Sequence, residues 1–450
     1  MPDATATQTN AIPIPGSYGS SYFPRPFLEA FTLLSAQGKY IDKKLKKVDG
    51  ATVFKAHPGL PTVVICNNVS AEFFFKAPDD LLEREAIQRF GLVAPQQKLI
   101  QGCETASLTS GELHTRSRAF LEDVVHSRKE RMMPTFESVC IAGIKQWPTQ
   151  GKLPIELSFQ RLTAPFVFQW LLEASPNIDD VVDWQKRIVT VTTDSAFSNL
   201  LFKILARVPG ESVAGAERLT QVVRASPLFG GYMDMARKHG FQDEDGVARQ
   251  LVFICSFNMS GGISRFLLPS MTAVSINTDA RTKMVSELDG WDPEKTKIED
   301  LPYLDAVLFE CMRLYPWPRF IHKKAHRDFL LPAENGRSYQ IRKDELLMSL
   351  TPYVHRDPTV FKDDPLAFRP ERFIDDPGLK DKIFTFGWAP DQKQTYGCLG
   401  RTFAQYLWKM LVAHLGKHYD WQVRGAELNL NNSLDVNPAD VALEDFKARG

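Results

Sequence analysis

The chain has few of the features that would place it in a disulfide-rich or nucleic-acid-binding class. Its six cysteines stand far apart, at positions 66, 103, 140, 255, 311 and 398, and no two form a C-x-x-C pair. This spacing argues against a structural zinc site and indicates a reducing compartment. The formal net charge is zero. Without a basic surplus for a phosphate backbone, we expect no nucleic-acid partner.

The N-terminal region also lacks a targeting or membrane-spanning pattern. Residues 1–10 are polar and rich in Thr and Ala. They contain neither the apolar core of a secretory signal nor the run of about 18 apolar residues that crosses a bilayer. We therefore predict a cytoplasmic protein with at most peripheral contact with a membrane. No Gly/Ser-rich or charged linker divides the chain, so we predict a flexible segment at 1–14 and one domain over 15–450.

The stretch from Phe384 to Arg401 is the most informative part of the sequence. After Cys398, apolar residues recur at spacings of three and four, which predicts an amphipathic helix with the cysteine at its start. Amide groups at a helix N-terminus favour a thiolate, and a thiolate is a strong ligand for haem iron. Gly400 lacks a side chain where a flat macrocycle would come close. The alternative is a buried, unreactive cysteine, which is the commoner case for a lone cysteine.

A second informative segment is apolar on nearly every side and predicts a buried helix that begins near Asp243. Its adjacent Gly261 and Gly262 each cost about 1 kcal/mol relative to alanine in a helix interior. A close helix crossing or a flat cofactor would explain the missing side chains. Asn258 is a neutral amide in this apolar stretch, so it must find a hydrogen-bond partner.

Charged residues on two further predicted helices are candidates for binding or bracing. His114 and Arg118 share one face of a helix that begins near Ser110; the alternative is a solvated basic stripe. Glu310 and Arg313 are three residues apart on another helix, within reach of a bidentate pair. Arg372, in the motif F-R-P-E-R-F, would complete a buried Glu/Arg/Arg cluster that braces the cysteine loop.

Three motifs in this order resemble the cytochrome P450 family of haem-thiolate proteins. They are E-x-x-R at Glu310 and Arg313, F-R-P-E-R-F at residues 368–373, and F-G…C-x-G ending at Cys398 and Gly400. The similarity extends over almost the whole chain. It implies a mainly α fold, a helical prism with a small β-sheet region. One haem b would lie between a distal and a proximal helix, with Cys398 as the iron ligand.

Two departures from the monooxygenases of this family indicate one of its branches. Monooxygenases carry an acid followed by threonine just after the distal glycine, and this pair delivers protons. Here Gly261 and Gly262 are followed by Ile263-Ser264-Arg265, and residues 390–396 extend the loop before the cysteine. Both departures resemble the branch that consumes fatty-acid hydroperoxides, which includes allene oxide synthases, hydroperoxide lyases, divinyl ether synthases and epoxyalcohol synthases.

Three other motifs resemble the same branch. They are P-G-x-Y-G at residues 15–19, E-x-H-x-x-x-R at 112–118, and F-N-x-x-G-G at 257–262. The resemblance implies a lipid hydroperoxide substrate and no redox partner, because the oxygen is already reduced to the peroxide level. Homolytic cleavage of the O–O bond would lead to an epoxyallylic radical. Asn258 would be the catalytic hydrogen-bond donor to the peroxide, and His114 and Arg118 would reach the haem propionates.

The resemblance also implies a substrate pocket that contains Phe90, Gly261, Gly262 and Arg265. Phe90 falls where allene oxide synthases have an aromatic residue and lyases have leucine, which favours dehydration to an allene oxide. A core phenylalanine is the alternative. Arg265 would pair with a fatty-acid carboxylate, or would lie on the surface beyond the buried stretch.

The leading prediction is therefore an enzyme of the hydro-lyase class that acts on fatty-acid hydroperoxides, with lyase or epoxyalcohol products as variants. A fatty-acid monooxygenase or peroxygenase of the same fold is the nearest alternative. A non-catalytic haem or lipid sensor is the alternative from another class. The absence of a DNA-binding or signalling appendage in this sequence argues against the sensor.

Overall fold

The computed structural model describes most of the chain. The described residues are 11–19, 37–57, 61–84, 99–100, 102–147, 151–193, 210–387, 397–424 and 441–449. Helices dominate these residues and the strands are short. The mainly α fold class predicted from the sequence is therefore confirmed.

The helical segments follow one another with few interruptions. The α-helices are α1 Gln37–Lys47, α2 Asn68–Lys76, α3 Gly111–Ser127, α4 Met132–Thr135, α5 Ala142–Ile144, α6 Ile155–Leu172, α7 Ile178–Thr193, α8 Gly210–Arg224, α9 Phe229–Lys238, α10 Glu244–Phe253, α11 Gly262–Ile276, α12 Thr278–Asp289, α13 Pro302–Leu314, α14 Thr351–Val354, α15 Arg372–Asp375 and α16 Arg401–His418. Two π-helical segments, Phe136–Ile141 and Ile254–Gly261, join α4 to α5 and α10 to α11. Short 3-10 turns include Ala106–Leu108 and Thr385–Gly387.

The strands form three small sheets. They are β1 Ala11–Ile12, β2 Val53–Ala56, β3 Thr62–Ile65, β4 Leu82–Arg84, β5 Leu153–Pro154, β6 Phe320–Ala325, β7 Phe329–Pro332, β8 Ser338–Ile341, β9 Leu346–Leu350, β10 Tyr419–Arg424 and β11 Ala442–Ala448. The strand orders are β2-β3-β9-β6-β4, β1-β8-β7 and β10-β11-β5. In the five-stranded sheet β3 and β9 run parallel, and the other neighbours are antiparallel.

The helix predicted to begin near Asp243 is the longest in the described residues. Asp243 is its N-cap: the carboxylate accepts hydrogen bonds from the amides of Asp245 and Gly246, at 3.2 and 3.0 Å. The helix continues through the π segment to Ile276, and we call Glu244–Ile276 the central helix. It is the one described helix with the length and hydropathy of a membrane span, yet 78% of its most apolar window is buried inside the protein. The central helix is therefore a core element.

Two helices pack against different parts of the central helix. The α6 helix packs along the π segment and α11, and the Thr163 hydroxyl donates to the carbonyl of Ser260 at 3.2 Å. The α16 helix, which follows Cys398, packs against the far end, where Trp408 Nε1 donates to Ser270 Oγ at 2.8 Å. The positions of the cysteine segment and the central helix are thus fixed by one continuous core.

Candidate functional site

Cys398 differs from the other five cysteines in its exposure. All six lie in the described residues, none forms a disulfide, and five are buried. Burial raises the pKa of those five thiols above the ordinary value for cysteine, to about 12 at Cys103. Cys398 is exposed. The alternative of a buried cysteine is therefore wrong at this position. Exposure agrees with the prediction of a ligand thiolate, which must be accessible to the metal.

The predicted helix after Cys398 is present, but it begins slightly later than the cysteine. The first helical residue is Arg401 and Gly400 is the N-cap. A Cβ atom added to Gly400 would lie 3.8 Å from Cys398 Sγ, which is an ordinary contact. Packing within the protein therefore does not require glycine here. The predicted close approach of a macrocycle stays a prediction.

The backbone before the cysteine contains a strained turn. Phe386 has φ 72° and ψ 10°, in the left-handed region, where a residue other than glycine costs about 1–3 kcal/mol. Gly387 follows with φ 64°. The carbonyl of Phe386 accepts a hydrogen bond from the amide of Cys398 at 2.9 Å. The turn thus directs a backbone acceptor at the cysteine and restrains the segment that carries the thiol.

The structure brings Glu310, Arg313 and Arg372 together in the interior. Glu310 and Arg313 are fully buried, and Arg372 is 4% exposed. Arg313 donates to both carboxylate oxygens of Glu310 at 2.7 Å, from Nε and Nη2. Arg372 Nε donates to the same carboxylate at 3.3 Å. Such a buried cluster is stable only when its remaining donors are satisfied.

Backbone carbonyl groups satisfy those remaining donors. Arg313 Nη1 donates to the carbonyls of Pro365 at 2.6 Å and His355 at 3.1 Å. Arg372 Nη1 donates to the carbonyl of Lys362 at 3.1 Å. The two cations therefore fix the chain between α14 and α15. Removing one partner of a buried ion pair typically costs about 3–5 kcal/mol.

His355 connects this cluster to the cysteine segment. Its carbonyl accepts from Arg313, and its ring Nε2 accepts from the amide of Phe384 at 2.8 Å. Burial, with the nearby Arg313 cation, lowers the pKa of His355 from 6.5 to about 3. The ring is therefore neutral and can act as an acceptor. A line of hydrogen bonds runs from Glu310 through His355 to the turn that holds Cys398.

The α3 helix places its two predicted cofactor ligands differently. His114 is 2% exposed, and its Nδ1 lies 2.7 Å from the carbonyl of Ala106. A solvated basic stripe is therefore wrong for His114. Arg118 Nη1 donates to the carbonyl of Gly397, next to the cysteine. The predicted contacts of both residues with haem propionates stay predictions.

The π segment of the central helix is held open by polar side chains. A π turn widens a helix and is frequent at functional sites. Gln185 of α7 is 2% exposed; its Nε2 donates to the carbonyl of Ser256 at 2.8 Å and to Ser260 Oγ at 2.9 Å. Ser260 Oγ in turn donates to the carbonyl of Cys255 at 2.8 Å. Nothing in the sequence marks Gln185 for this role, since it is one polar residue in an amphipathic helix.

The two glycines of the central helix have different surroundings. A Cβ atom at Gly261 would lie 2.8 Å from the carbonyl oxygen of Ser256, which is too close. A Cβ atom at Gly262 would meet only the carbonyl oxygen of Phe257, at 3.9 Å. The widened turn therefore explains Gly261. The protein itself gives no steric reason for Gly262.

Asn258 is exposed although its helix is mostly buried. The hydrogen-bond partner of its carboxamide, which could not be identified from the sequence, is Ser107 on the 3-10 turn Ala106–Leu108. Asn258 Nδ2 donates to Ser107 Oγ at 3.1 Å, and the hydroxyl lies 3.3 Å from Asn258 Oδ1. The carboxamide thus stands at the surface of the core with one edge fixed by a hydroxyl group.

The residues after the glycines face different surroundings. Ser264 is fully buried, and its hydroxyl donates to the carbonyl of Gly261 at 3.1 Å. Arg265 has a side chain 19% exposed, 3.8 Å from Glu156. Its guanidinium lies 5.6 Å from the ring centroid of Trp317. Arg265 is therefore not a surface residue, and its predicted role in the substrate pocket stays a prediction.

The pocket position of Phe90, the loop extension at 390–396 and residues 1–10 of the predicted flexible segment lie outside the described residues. The choice of product that was drawn from Phe90 therefore has no structural counterpart. The rest of the predicted flexible segment makes contacts, since β1 pairs with β8 and Ile14 is buried.

The residues that the structure does describe fit a haem held by a thiolate. Among them, no group of three or more His, Cys, Asp or Glu side chains could hold a bare metal ion. A macrocycle supplies its own equatorial ligands, so one accessible thiol is enough. Cys398 is exposed on a braced segment, and Gly262 offers a helix surface without a side chain.

Comparison with known proteins agrees with this fit. A cytochrome P450 family model matches residues 279–438. An epoxyalcohol synthase from Ectocarpus siliculosus is 27% identical over 94% of this chain and 94% of its own length. A mitochondrial hydroperoxide bicyclase from Plasmodiophora brassicae is 30% identical, covering 83% and 71%. A chloroplastic allene oxide synthase from Linum usitatissimum is 23% identical, covering 93% and 84%. Because two of these names carry an organelle, the predicted cytoplasmic location stays a prediction.

The two glycines give a matched pair of substitutions. Gly261→Ala should lower the free energy of unfolding by about 1–3 kcal/mol, because the new Cβ overpacks the widened turn. Gly262→Ala should leave stability unchanged or raise it by up to about 1 kcal/mol, because it removes a helix-interior glycine. Urea unfolding of both purified variants measures the difference. Equal losses would contradict the assignment of the π segment.

The low pKa of His355 leads us to expect that the free energy of unfolding falls in acid. The unfolded chain binds a proton near pH 6.5 and the folded ring only near pH 3, so stability falls as the pH drops between these values. In His355→Gln, the amide oxygen can still accept from Phe384, and one titrating group is absent. Its free energy of unfolding, measured by urea titration, should therefore fall less steeply than that of the wild type from pH 6.5 to 4.5. The difference in slope should approach about 1.4 kcal/mol per pH unit. Parallel slopes would show that this ring is not the group protonated.

Proposed function

This chain belongs to the cytochrome P450 family, and from that premise we propose that it is a haem-thiolate enzyme that rearranges fatty-acid hydroperoxides without dioxygen or a reductase. The observation that carries the proposal is the set of polar groups on the central helix. The helix presents the neutral carboxamide of Asn258, hydrogen-bonded to Ser107, and the Ser264 hydroxyl near it is bonded to the helix backbone. The names of relatives that span most of the chain, an epoxyalcohol synthase and a hydroperoxide bicyclase, support the same substrate class.

In this proposal the sulfur of Cys398 would hold haem b. When bound, the haem supplies one-electron chemistry that cleaves the O–O bond of the hydroperoxide. His114 and Arg118 are assigned to the propionates, since α3 runs beside the cysteine segment and Arg118 already contacts Gly397. The protein's contribution at this face is to hold the sulfur in one position through the carbonyl of Phe386 and the Glu310 cluster.

Asn258 provides the hydrogen bond at the reacting oxygen atoms. One N–H of its carboxamide donates to Ser107, and an amide nitrogen carries a second N–H for the substrate. A neutral donor orients the peroxide without adding or removing a proton. This suits a reaction in which the substrate, rather than dioxygen, is the oxidant.

Proton delivery has no visible route along this part of the helix. Ile263 and Ser264 occupy the positions of the acid and the alcohol in monooxygenases. The Ser264 hydroxyl is fully buried and is used by the carbonyl of Gly261. An isoleucine side chain has no proton to give, and the hydroxyl hydrogen of Ser264 is already donated within the helix. Geometry therefore favours the hydroperoxide reaction over dioxygen activation.

The substrate carboxylate is assigned to Arg265. This residue lies seven positions after Asn258 and therefore on a similar face of the helix. Its guanidinium is mostly buried beside Trp317 and Glu156, and a partly buried guanidinium binds carboxylates strongly. The long chain of a fatty acid would then extend along the helix towards Asn258.

Two products can follow the epoxyallylic radical. Loss of a hydrogen from carbon, together with the departing oxygen as water, gives an allene oxide. Return of the oxygen to the carbon chain gives an epoxyalcohol, an isomer of the substrate. The sequence favours the first product through Phe90; the greater identity to the epoxyalcohol synthase than to the allene oxide synthase favours the second. In water the allene oxide hydrates to a ketol with the same mass as the epoxyalcohol. Mass spectrometry after reaction in oxygen-18-labelled water separates them, because only the ketol takes up an oxygen from water.

The activity itself is tested without any electron donor. Purified haem-loaded protein should consume 9- or 13-hydroperoxides of linoleic acid, seen as rapid loss of the conjugated-diene absorbance without NADPH or reductase. Cys398→Ala should lack both the haem-thiolate spectrum and the activity. Sluggish consumption, with fatty-acid hydroxylation after a reductase is added, would identify a monooxygenase instead. Sluggish consumption with no hydroxylation would identify a sensor.

Substitutions at Asn258 test the source of the hydrogen bond. Asn258→Ala should keep the haem spectrum and lower kcat by about 100-fold, the effect expected for loss of one well-placed donor. Asn258→Asp has nearly the same shape but no N–H group, so it should lose a similar amount at neutral pH. Steady-state kinetics with the preferred hydroperoxide measures both. Near wild-type turnover in either variant would remove Asn258 from the mechanism.

A further inference from the structure

The α1 helix carries a concentration of positive charge that the proposed reaction does not use. Its eleven residues, Gln37–Lys47, contain five lysines and one aspartate, so the side chains carry a net charge of +4. The whole chain, in contrast, has equal numbers of acidic and basic residues and a formal net charge of zero. The charge of α1 is therefore a local feature and not part of a generally basic surface.

Four of these lysines lie together on the solvent side of the helix. Lys39, Lys43 and Lys47 follow one another at intervals of four residues, which places them on one face. Lys46 is three residues after Lys43 and lies beside that face. All four side chains are exposed, and we call these residues the lysine stripe.

The other side of α1 fixes the direction in which the lysine stripe points. Tyr40 is 3% exposed and Ile41 is fully buried, and both pack in one apolar cluster with Phe54 of β2 and Val64 of β3. This cluster attaches the helix to the five-stranded sheet, so its lysines cannot turn inward. A rise of 1.5 Å per residue spreads the stripe over about 12 Å, and one flat surface can contact all four ammonium groups.

The stability of the helix alone does not account for the lysine stripe. Cations in the last turn are favoured by the helix macrodipole, which explains Lys46 and Lys47. Lys39 and Lys43 lie earlier in the helix, and like charges four residues apart destabilise it. A partner with closely spaced negative charges would offset this repulsion.

A second feature beside α1 fits a lipid surface. Gly16 pairs with Lys55 in a β-bridge, and a Cβ atom at Gly16 would lie 3.4 Å from Val48, which directly follows α1. A cavity of about 240 Å³ adjoins this bridge, and its lining includes Ile12, Pro13, Lys55 and Arg342. Apolar side chains beside a group of cations are typical of surfaces that lie on an anionic bilayer.

We propose that the lysine stripe, with the adjoining cavity, is the surface through which this protein binds membranes that contain anionic lipids. The central helix cannot make such a contact, because 78% of its most apolar window is buried. Binding itself does not depend on the proposed function. Its benefit rests on that function, because a fatty-acid hydroperoxide has a long apolar chain and accumulates in bilayers.

Cosedimentation of the full haem-loaded protein with lipid vesicles tests this surface. The protein should bind vesicles of phosphatidylcholine mixed with phosphatidylserine at least about tenfold more tightly than pure phosphatidylcholine, and it should dissociate as salt is raised. Each lysine near an anionic surface strengthens binding by roughly fivefold. Changing all four lysines of the stripe to glutamine should therefore weaken binding to the mixed vesicles by about 100-fold or more. Changing the same four to arginine keeps the charge and should keep the binding.

The matched control removes the same amount of charge from other elements. Four exposed lysines outside α1 are changed to glutamine, namely Lys129, Lys145, Lys238 and Lys297. Binding to the mixed vesicles should change by less than about threefold, since charges away from the contact are screened. Glutamine has nearly the helix propensity of lysine, so circular dichroism and the haem absorbance should be unchanged in both fourfold variants.

Three results would overturn the proposal. Equal losses in the two fourfold variants would show that net charge, and not the lysine stripe, is responsible. Equal binding to the two kinds of vesicle would show that anionic lipid is not recognised. Capture of the protein by poly-glutamate, with no binding to vesicles, would identify an acidic protein as the partner.

Turnover separates this proposal from the proposed function. With hydroperoxide in neutral detergent micelles, the glutamine variant of the stripe should match the wild type in kcat, because no lysine of the stripe takes part in the reaction. With hydroperoxide embedded in the mixed vesicles, its kcat/KM should fall by about tenfold or more. A wild type that binds these vesicles but consumes no hydroperoxide in micelles would overturn the function and leave the surface. Rapid turnover in micelles without vesicle binding would overturn the surface and leave the function.

Discussion

The site depends on a charge buried where water cannot reach it. The Glu310 carboxylate is fully buried and is neutralised by Arg313 and Arg372. An ionised group in such a place is stable only if every partner keeps its position. The carbonyls that complete the two arginines come from the chain between α14 and α15, and His355 continues the network to Phe384. Because Phe384 and Phe386 are held by these hydrogen bonds, the segment that carries Cys398 is restrained although the sulfur itself is exposed.

The central helix, which the proposed function makes the other face of the site, has to combine an apolar surface with polar groups. A helix that crosses the core is mostly apolar, because each buried polar group needs a hydrogen-bond partner. The proposed reaction nevertheless needs a hydrogen-bond donor on this helix. The π segment resolves this, because a widened turn frees backbone acceptors that Gln185 and Ser260 then satisfy. The same turn forces a glycine at position 261. Asn258 lies in this segment, and its exposed carboxamide donates one hydrogen bond to Ser107.

The sequence predicts those parts of the site that depend on local spacing. The spacing of Glu310 and Arg313, the apolar period after Cys398 and the helix start near Asp243 all follow from rules within one helix, and the structure has each of them. Ser107, Gln185 and His355 could not be predicted, because their roles arise from contacts across 29 to 151 positions. One exposed cysteine among six was likewise invisible, since exposure is a property of the packed chain.

The difference between the two faces also explains why a peroxide is the fitting oxidant. A charged acid at the central helix would need water and a relay to return its proton, and the hydroxyl groups of Ser260 and Ser264 donate to carbonyls of the same helix. A carboxamide needs neither, because it donates a hydrogen bond and keeps its proton. Such a donor cannot supply the protons that dioxygen reduction consumes, but it can orient an oxygen–oxygen bond that is already formed. Under the proposed function, the neutral amide would therefore restrict the enzyme to substrates that have been oxidised beforehand.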